Sequence, residues 1–141
     1  MRKIPLAAIG FLASLFSLSS CLDQGANTLK PSPLPPAFIV IDQFGYAPEA
    51  RKIAVLRDPQ IGADSGLEYA PSKQVNIFDA LTGETVLTVK PIAWKAGQVD
   101  DLSGDRVWHV DFSALTKAGR YKIVDPDKNV SSASFNIKPN V

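Results

Sequence analysis

From Phe38 onward, the chain consists of short apolar or alternating segments that are separated by turn-forming residues about every 10 positions. In residues 74–79 and 106–112, polar and apolar side chains alternate, as they do in a strand with one buried face. No helical pattern longer than one turn occurs in this part of the sequence. The pattern predicts seven or eight strands in about 100 residues, which is typical of an antiparallel β-sandwich.

A tyrosine near the end of the chain makes this prediction more specific. Tyr121 enters the predicted strand 119–125 after a turn that contains Gly119. In a tyrosine corner, such a residue buries its ring and bonds its hydroxyl to nearby backbone; the alternative is a tyrosine on an edge strand. Ile123 takes the position of the core cysteine of antibody domains, which fits a version without a disulfide. We therefore predict an all-β fold, an immunoglobulin-like antiparallel β-sandwich of seven or eight strands.

The alternation in residues 106–112 also predicts which side chains face the core. We expect Trp108 and Tyr121 to be buried, and His109 to face outward and to be largely exposed. His109 is the only histidine of the chain, and the sequence offers no identifiable Ser or Cys partner that it would serve as a general base.

The first 20 residues have the pattern of a bacterial signal peptide. Two basic residues precede residues 4–18, an uncharged and mostly apolar stretch that is shorter than the roughly 20 residues of a membrane-spanning helix. The following Leu18-Ser19-Ser20-Cys21 resembles a lipobox, in which the cysteine thiol is acylated and becomes the first residue after cleavage. The only cysteine of the chain occupies this position; the alternative is an ordinary signal peptide followed by an incidental cysteine.

The residues after Cys21 predict where the protein is held. Leu22 rather than Asp follows the cysteine, which resembles outer-membrane lipoproteins under the enterobacterial sorting rule. We therefore expect a lipid-anchored protein of the cell envelope, at the outer membrane of a bacterium. Residues 21–37 form a Pro-rich linker, because the four prolines among residues 31–36 exclude a helix or a sheet interior. Residues 38–141 form the folded domain.

Charge and composition exclude several classes of function. The chain has 15 Lys and Arg against 14 Asp and Glu, and no basic cluster, which argues against a nucleic-acid partner. One cysteine excludes an internal disulfide and any metal site with several thiolates, and one histidine excludes a site that needs two imidazoles. We expect no cofactor.

Four segments in order resemble the N-terminal immunoglobulin-like domain of family 9 glycoside hydrolases, the cellulase and endoglucanase family. Residues 39–48 resemble the opening motif V-N-Q-x-G-Y-x-P, and residues 52–55 resemble the second strand. Residues 103–113 resemble S-G-D-x-V-W-x-x-D-F-S, and residues 118–123 resemble x-G-x-Y-x-L. The resemblance covers about residues 38–137. Two departures are Asp42, where the family usually has Asn, and a long loop at residues 58–73.

The resemblance implies a role without catalysis for this chain. In the family, the active site lies in an α-helical barrel C-terminal to this module, with its base in an Asp-Ala-Gly-Asp stretch that is absent here. The only glutamates, Glu49, Glu68 and Glu84, fall in predicted turns or loops, whereas an inverting glycosidase needs two carboxyls about 6.5–9.5 Å apart across a cleft. We expect a non-catalytic module that packs against a family 9 catalytic barrel, in cis or in trans, and stabilises it. The alternatives are a surface lipoprotein that binds glycan by itself, and the N-terminal fragment of a complete endoglucanase.

The sequence offers two groups of candidate binding residues. Polar loop residues at the ends of sandwiches commonly contact neighbouring domains, so we expect the catalytic barrel to contact residues from two loops. These residues are Asp42, Gln43, Gly45, Tyr46, Ser103 and Asp105. For a polysaccharide partner, Trp94 and Tyr69 are the aromatic side chains that would stack on sugar rings.

An acidic segment is the only candidate for a metal site. Asp100, Asp101 and Asp105, with Ser103, place oxygen ligands close together, as Ca²⁺ favours. The spacing lacks the alternating acids and the closing glutamate of an EF-hand, and turns use the same residues for local backbone bonds. We therefore predict no metal site and keep these residues as a calcium alternative.

The lipobox leads to the first testable prediction. Expressed with its signal in a bacterium, the chain should partition into detergent and carry acyl mass on Cys21, because several buried acyl chains hold a protein firmly at about 0.8 kcal/mol per methylene. Detergent partition and intact-mass spectrometry would measure this. A Cys21→Ser form that still fractionates with membranes would contradict the prediction.

Overall fold

The alternating segments pair into two antiparallel sheets in the computed structural model, which describes residues 37–141. The predicted signal and most of the linker lie outside the described residues. Within these residues, nine strands follow one another along the chain. They are β1 (Ile39–Val40), β2 (Ile53–Pro59), β3 (Val75–Asp79), β4 (Thr85–Val89), β5 (Ile92–Ala93), β6 (Asp105–Asp111), β7 (Gly119–Asp125), β8 (Val130–Ser131) and β9 (Phe135–Ile137).

The strands are divided between the sheets as in an immunoglobulin-like sandwich. The first sheet has the order β1-β2-β6-β5, and the second has the order β4-β3-β7-β8, with β9 also paired to β7. The all-β sandwich predicted from the sequence is confirmed. The strand number exceeds the prediction because β5 and β8 have only two residues each, too few to show an alternation.

The core lies between the sheets and takes every second residue of the long strands. In β2, Ala54 and Leu56 are buried, and in β6 the paired residue Val110 is buried with them. The second sheet contributes Val75, Ile77, Tyr121, Ile123, Phe135 and Ile137. Burial of this alternating set fixes the register, since a shift by one residue would expose all of it.

The structure confirms which side chains of β6 face the core, but Trp108 is less buried and His109 less exposed than predicted. Val110 and Phe112 are fully buried, and Trp108 packs against the core but is only partly buried, because the two-residue strand β5 is its outer neighbour. His109 is half-buried rather than largely exposed. The ring of Trp94 lies 4.9 Å from that of His109 and covers part of it.

The tyrosine corner is present at the start of β7. Tyr121 is 1% exposed, and its hydroxyl donates a hydrogen bond of 3.0 Å to the carbonyl oxygen of Lys117. Burial raises the pKa of Tyr121. A Cβ atom on Gly119 would lie 2.7 Å from the Tyr121 hydroxyl, so glycine leaves the space that the ring needs.

The N-terminal segment passes from one sheet to the other. β1 pairs with β2 in the first sheet, and Tyr46 then forms a parallel bridge with Ile137 in the second. The Tyr46 amide donates to the Asn136 carbonyl at 2.9 Å, and the Lys138 amide donates to the Tyr46 carbonyl at 3.0 Å. Gly45 makes this approach possible: its φ is +95°, and a Cβ there would lie 2.5 Å from the Asn136 oxygen.

Two glycine substitutions distinguish the effect of a left-handed backbone from that of a steric clash with the main chain at this junction. Gly45→Ala should lower the free energy of unfolding by about 2–5 kcal/mol, because it combines a left-handed backbone with a clash against main chain. Gly83→Ala is the control, since its φ is +75° but nothing lies within 4 Å of the added Cβ. The control should lose only about 1–2 kcal/mol. Equal losses in denaturant titrations would contradict the close approach.

Candidate functional site

The predicted contact loop around Asp42 is a turn that is held mainly by its own hydrogen bonds. Asp42 Oδ1 accepts from the Phe44 amide at 2.9 Å, and the Asp42 carbonyl accepts from the Gly45 amide at 3.2 Å. The Tyr46 hydroxyl accepts from the Asp42 amide at 2.9 Å and donates to the Ile53 carbonyl at 3.2 Å. Burial raises the pKa of Tyr46. The residues of the opening motif therefore form the hydrogen bonds that stabilise this turn.

Only part of this turn is available to a partner. Gly45 and Tyr46 are buried, so two of the predicted contact residues face the interior of the domain. Asp42 and Gln43 are exposed, and the ring of Phe44 is 84% exposed at the tip of the turn. Phe44 lies within residues 42–48, the segment predicted to contact the barrel, but it was not singled out because the prediction was based on polar loop residues.

A buried lysine fixes the loop that follows the turn. Lys52 is 0% exposed, and its Nζ donates to the carbonyl oxygens of Ala47, Pro48 and Ala50. Its amide donates to Ser113 Oγ at 2.9 Å. The ammonium group thus gathers three carbonyls into one rigid loop. Sequence reasoning assigned Lys52 only to a strand match, because the partners are backbone atoms.

The two predicted contact segments lie at opposite ends of the sandwich. Tyr46 bonds to Ile53 at the start of β2, whereas Asp105 pairs with Pro59 at its end. Seven strand residues separate these positions by about 20 Å. We call the end with Tyr46 and the departing Lys138 the C-terminal end. The two segments therefore do not form one contact surface.

Asp105 is occupied within the domain. Its carboxylate accepts two hydrogen bonds from Arg57, at 2.9 Å from Nε and 2.8 Å from Nη2, and Asp64 lies 2.9 Å from the same Nη2. These bonds raise the pKa of Arg57, the bond to Asp105 most of all. With 8% of its surface exposed, Asp105 is a structural ion-pair partner rather than the contact residue that we predicted. Ser103 is exposed in the preceding loop.

The acidic segment does not gather into a metal site. Asp100 Oδ1 accepts from Lys95 Nζ at 2.7 Å, and this bond lowers the pKa of Asp100. Asp101 is exposed, and Asp105 is held by Arg57. Among residues 37–141, no three His, Cys, Asp or Glu side chains stand close enough to hold a metal ion.

Tyr69 belongs to the core and is not available to stack on a sugar ring, the role that the sequence had suggested for Tyr69 and Trp94. It is 4% exposed, its ring stacks on Phe38 at 5.0 Å, and its hydroxyl donates to Asp125 Oδ2 at 3.0 Å. Burial, and then the Asp125 carboxylate, raise the pKa of Tyr69. A sugar ring has no access to this side chain.

The same network anchors the long loop between β2 and β3. Asp125 also accepts from the amide and the hydroxyl of Ser72, and Asp58 Oδ1 accepts from the Tyr69 amide at 3.0 Å. Asp58 Oδ2 lies 3.3 Å from Arg106 Nη1. Both oxygens of each buried carboxylate are thus engaged, so the two carboxylates have a structural role in anchoring this loop.

A polar groove runs between this loop and the turn after β7. It has a volume of about 530 Å³, and an adjoining cavity of about 430 Å³ shares two of its lining residues, Ala70 and Lys128. The groove is lined by hydrogen-bonding side chains such as Lys73, Gln74 and Asn76. It contains no aromatic platform, and the one tyrosine that lines the cavity is Tyr69.

Trp94 is the member of the stacking pair that solvent reaches. It is 45% exposed and begins a short irregular turn, Trp94–Gly97, at the edge of the first sheet. Lys95 and Ala96 have φ of 45° and 53°, which is uncommon for residues with a side chain. Arg106 Nε donates to the Gly97 carbonyl at 3.0 Å and holds the turn.

No described arrangement provides a glycosidase acid and base. Glu49, Glu68 and Glu84 are exposed on turns or loops, as the sequence predicted. Cys21 and the predicted lipobox lie outside the described residues. Of residues 37–141, none forms a helix of the length and apolarity that crossing a membrane requires.

Comparison with known proteins identifies what this module is similar to. The family model described as the cellulase N-terminal ig-like domain matches residues 35–129. A metagenome-derived glycoside hydrolase family 9 endoglucanase has 31% identity and a TM-score of 0.56 over 72% of this chain and 18% of its own. The Bacteroides ovatus GH9 structure has 28% identity and a TM-score of 0.54, over 72% of this chain and 16% of its own.

A more distant structure supports the fold alone. The thermostable endoglucanase from Alicyclobacillus acidocaldarius has 17% identity and a TM-score of 0.50, over 73% of this chain and 15% of its own. No curated protein matches the chain. The chain thus spans less than one fifth of the length of each of these three solved structures.

The Tyr69–Asp125 bond leads to a prediction about alkaline stability. Because the pKa of Tyr69 is raised above the ordinary 10.0, its contribution to stability is complete below about pH 10 and is lost as the pH rises further. Tyr69→Phe should lower the free energy of unfolding at pH 7 by about 1–3 kcal/mol and should flatten the loss of stability above pH 10.

Tyr121→Phe provides the comparison, because it removes a bond to a neutral carbonyl and should cost about 1 kcal/mol at pH 7. Urea titrations between pH 7 and 11 would measure both variants. A Tyr69→Phe profile parallel to that of the wild type would contradict the prediction.

Proposed function

Because the chain belongs to the family of cellulase N-terminal immunoglobulin-like domains, we propose that it is a non-catalytic module of polysaccharide degradation. It packs against the catalytic domain of a glycoside hydrolase family 9 enzyme, in the same polypeptide or in a separate one, and stabilises that domain.

The observation that carries the proposal is the share of each chain that the match covers. Nearly three quarters of this chain corresponds to 16% and 18% of two family 9 proteins. One of them is described as an endoglucanase, and more than four fifths of its chain lies outside the matched segment. In these relatives, a segment of this size is therefore part of a much longer chain.

The arrangement of acids supports a role without catalysis. The buried carboxylates of Asp58 and Asp125 accept hydrogen bonds from the loop that they anchor, and Asp58 also accepts one from Arg106 in β6. The glutamates are scattered over exposed loops. An inverting glycosidase needs a paired acid and base across a substrate cleft.

Burial of several predicted contact residues reduces the set that is available to contact a catalytic domain. Gly45, Tyr46 and Asp105 are committed to the fold, which leaves Asp42 and Gln43 at the C-terminal end and Ser103 at the other. The C-terminal end is the better candidate, because Lys138 leaves the sandwich beside Tyr46. A domain joined after residue 141 would begin there.

A second candidate function is direct glycan binding at the cell surface. It is favoured by the half-exposed ring of Trp94, which would stack on a sugar. In either function, we propose that acylated Cys21 holds the protein at the outer membrane, with residues 21–37 as its tether. The lipobox and the proline-rich segment support this anchor.

Thermal unfolding of a catalytic domain tests the proposal. The chain carrying Cys21→Ser should raise the melting temperature of a family 9 catalytic domain that lacks its own module. Binding to the folded state alone contributes about 2.7 kcal/mol at a hundredfold excess over Kd. The chain alone should not hydrolyse carboxymethylcellulose.

An unrelated β-sandwich of similar size serves as the control for non-specific stabilisation. Retention on insoluble cellulose that is lost in Trp94→Ala, without any effect on the catalytic domain, would favour the glycan-binding function instead. Hydrolysis by the purified chain would contradict both functions.

A further inference from the structure

We propose that the outer face of the first sheet is the surface on which the catalytic domain docks. This face, called here the outer face, comprises Val40, Ile53, Val55, Val107, His109 and Ile92. The inference rests on the proposed function and assigns its main contact to a sheet surface instead of the loops that the sequence suggested.

The strand register places an apolar row across all four strands of the sheet. Val40 pairs with Val55, Val55 pairs with His109, and His109 pairs with Ile92. Directly paired residues lie on the same face, and the alternate residues Ala54 and Leu56 fill the core. The row therefore points away from the core.

Several members of the outer face are open to solvent. Val40 is 42% exposed and Ile92 is 59% exposed, while Ile53, Val55 and Val107 are partly buried by their neighbours. β2 and β6 carry this face over seven residues each, and β1 and β5 extend its central row by two residues each. Contiguous exposed apolar patches on monomers are often functional.

The second sheet provides an internal comparison. On its outer face, Asn76 Oδ1 accepts from Thr88 at 2.9 Å, Phe78 pairs with Lys122, and Arg120 pairs with Asn136. Each of these cross-strand rows contains a charged or amide side chain, as expected for a solvated face of an antiparallel sheet. The central row of the first sheet contains three aliphatic residues and one imidazole, whereas the rows on either side of it each contain one charged residue, Asp111 paired with Ile53 and Arg57 paired with Val107.

Charged pairs border the outer face at both ends of the strands. Arg57 is held by Asp105 and Asp64 at one end, and Arg51 lies 3.7 Å from Asp111 at the other. An apolar centre between charged rims is the arrangement found in protein–protein interfaces.

Trp94 extends this surface at the β5 edge. Its ring lies 4.9 Å from that of His109, with an angle of 37° between the planes. Two successive residues with side chains, Lys95 and Ala96, adopt left-handed conformations directly after it. Such strain persists only where other bonds impose it, and it concentrates at functional sites. Here the bonds are those of Gly97 to Arg106 and of Lys95 to Asp100.

The chemistry of the outer face fits a protein and does not fit a sugar chain. Branched aliphatic side chains offer neither hydrogen bonds nor a flat aromatic surface, and Trp94 supplies only one ring. The exposed Phe44 follows β1 by four residues, at the tip of the turn before Tyr46. Lys138 leaves the domain at the C-terminal end, so a domain joined there begins at the end of the sandwich where Ile53 of the outer face lies.

A matched pair of valines tests the assignment. Val40 and Val86 are 42% and 41% exposed and lie on edge strands of opposite sheets. In the full chain carrying Cys21→Ser, Val40→Arg should weaken binding to a family 9 catalytic domain by about tenfold or more, because it buries an unpaired charge. Val86→Arg should leave the affinity unchanged. Trp94→Ala provides a second variant of the outer face, and it should also weaken binding.

Calorimetric titration would use the metagenome-derived family 9 endoglucanase without the segment that matches this chain. If wild type binds and Val40→Arg and Trp94→Ala bind equally well, the outer face is not the docking surface, although the proposed function stands. If wild type does not bind, both proposals are contradicted. If the chain self-associates, and if Val40→Arg abolishes this self-association whereas added catalytic domain does not, a second copy of the chain occupies the outer face. That result would overturn the inference.

Discussion

The junction at Tyr46 determines how the rest of the sandwich is closed. Its backbone bonds to the Asn136 carbonyl and the Lys138 amide tie the first strand segment to the last one. Its ring meets Phe112 and Phe135 edge-on, at 5.0 Å and 5.5 Å, between the sheets. Because one residue links the first and last strands of the described domain, both sheets and the aromatic core, its neighbours have little conformational freedom.

Several residues of the motifs that resemble the family are the ones that close the sandwich in this way. Asp42 begins the turn, Gly45 permits the close approach to Asn136, and Tyr46 is the junction itself. Likewise, Asp105 anchors Arg57, and Gly119 leaves space for Tyr121. These residues therefore identify the fold, and most of them are unavailable as a binding surface. Most residues of the proposed docking surface also lie within the motif segments, but as outward-facing strand positions that the sequence pattern did not assign to a contact.

The parts that local sequence determines were predictable. Alternation identified the long strands, and the glycine before Tyr121 identified the corner. Long-range contacts were not predictable. Tyr69 is buried because its loop folds onto Asp125, 56 positions away. His109 is covered by Trp94, which an irregular turn brings over it. That the candidate loops lie at opposite ends follows from the length and register of β2, which requires the pairing to be known.

The parallel bridge between Tyr46 and Ile137 also has a mechanical consequence. The chain enters the sandwich at the end where β2 finishes and leaves it at the C-terminal end. Tension between an N-terminal tether and a domain attached after residue 141 would therefore run along the strands. The bonds of Tyr46 to Asn136 and Lys138 would be loaded together, in shear, instead of being peeled one at a time. A module anchored to a membrane and joined to an enzyme that holds on to an insoluble polymer would be resistant to forced unfolding in that direction.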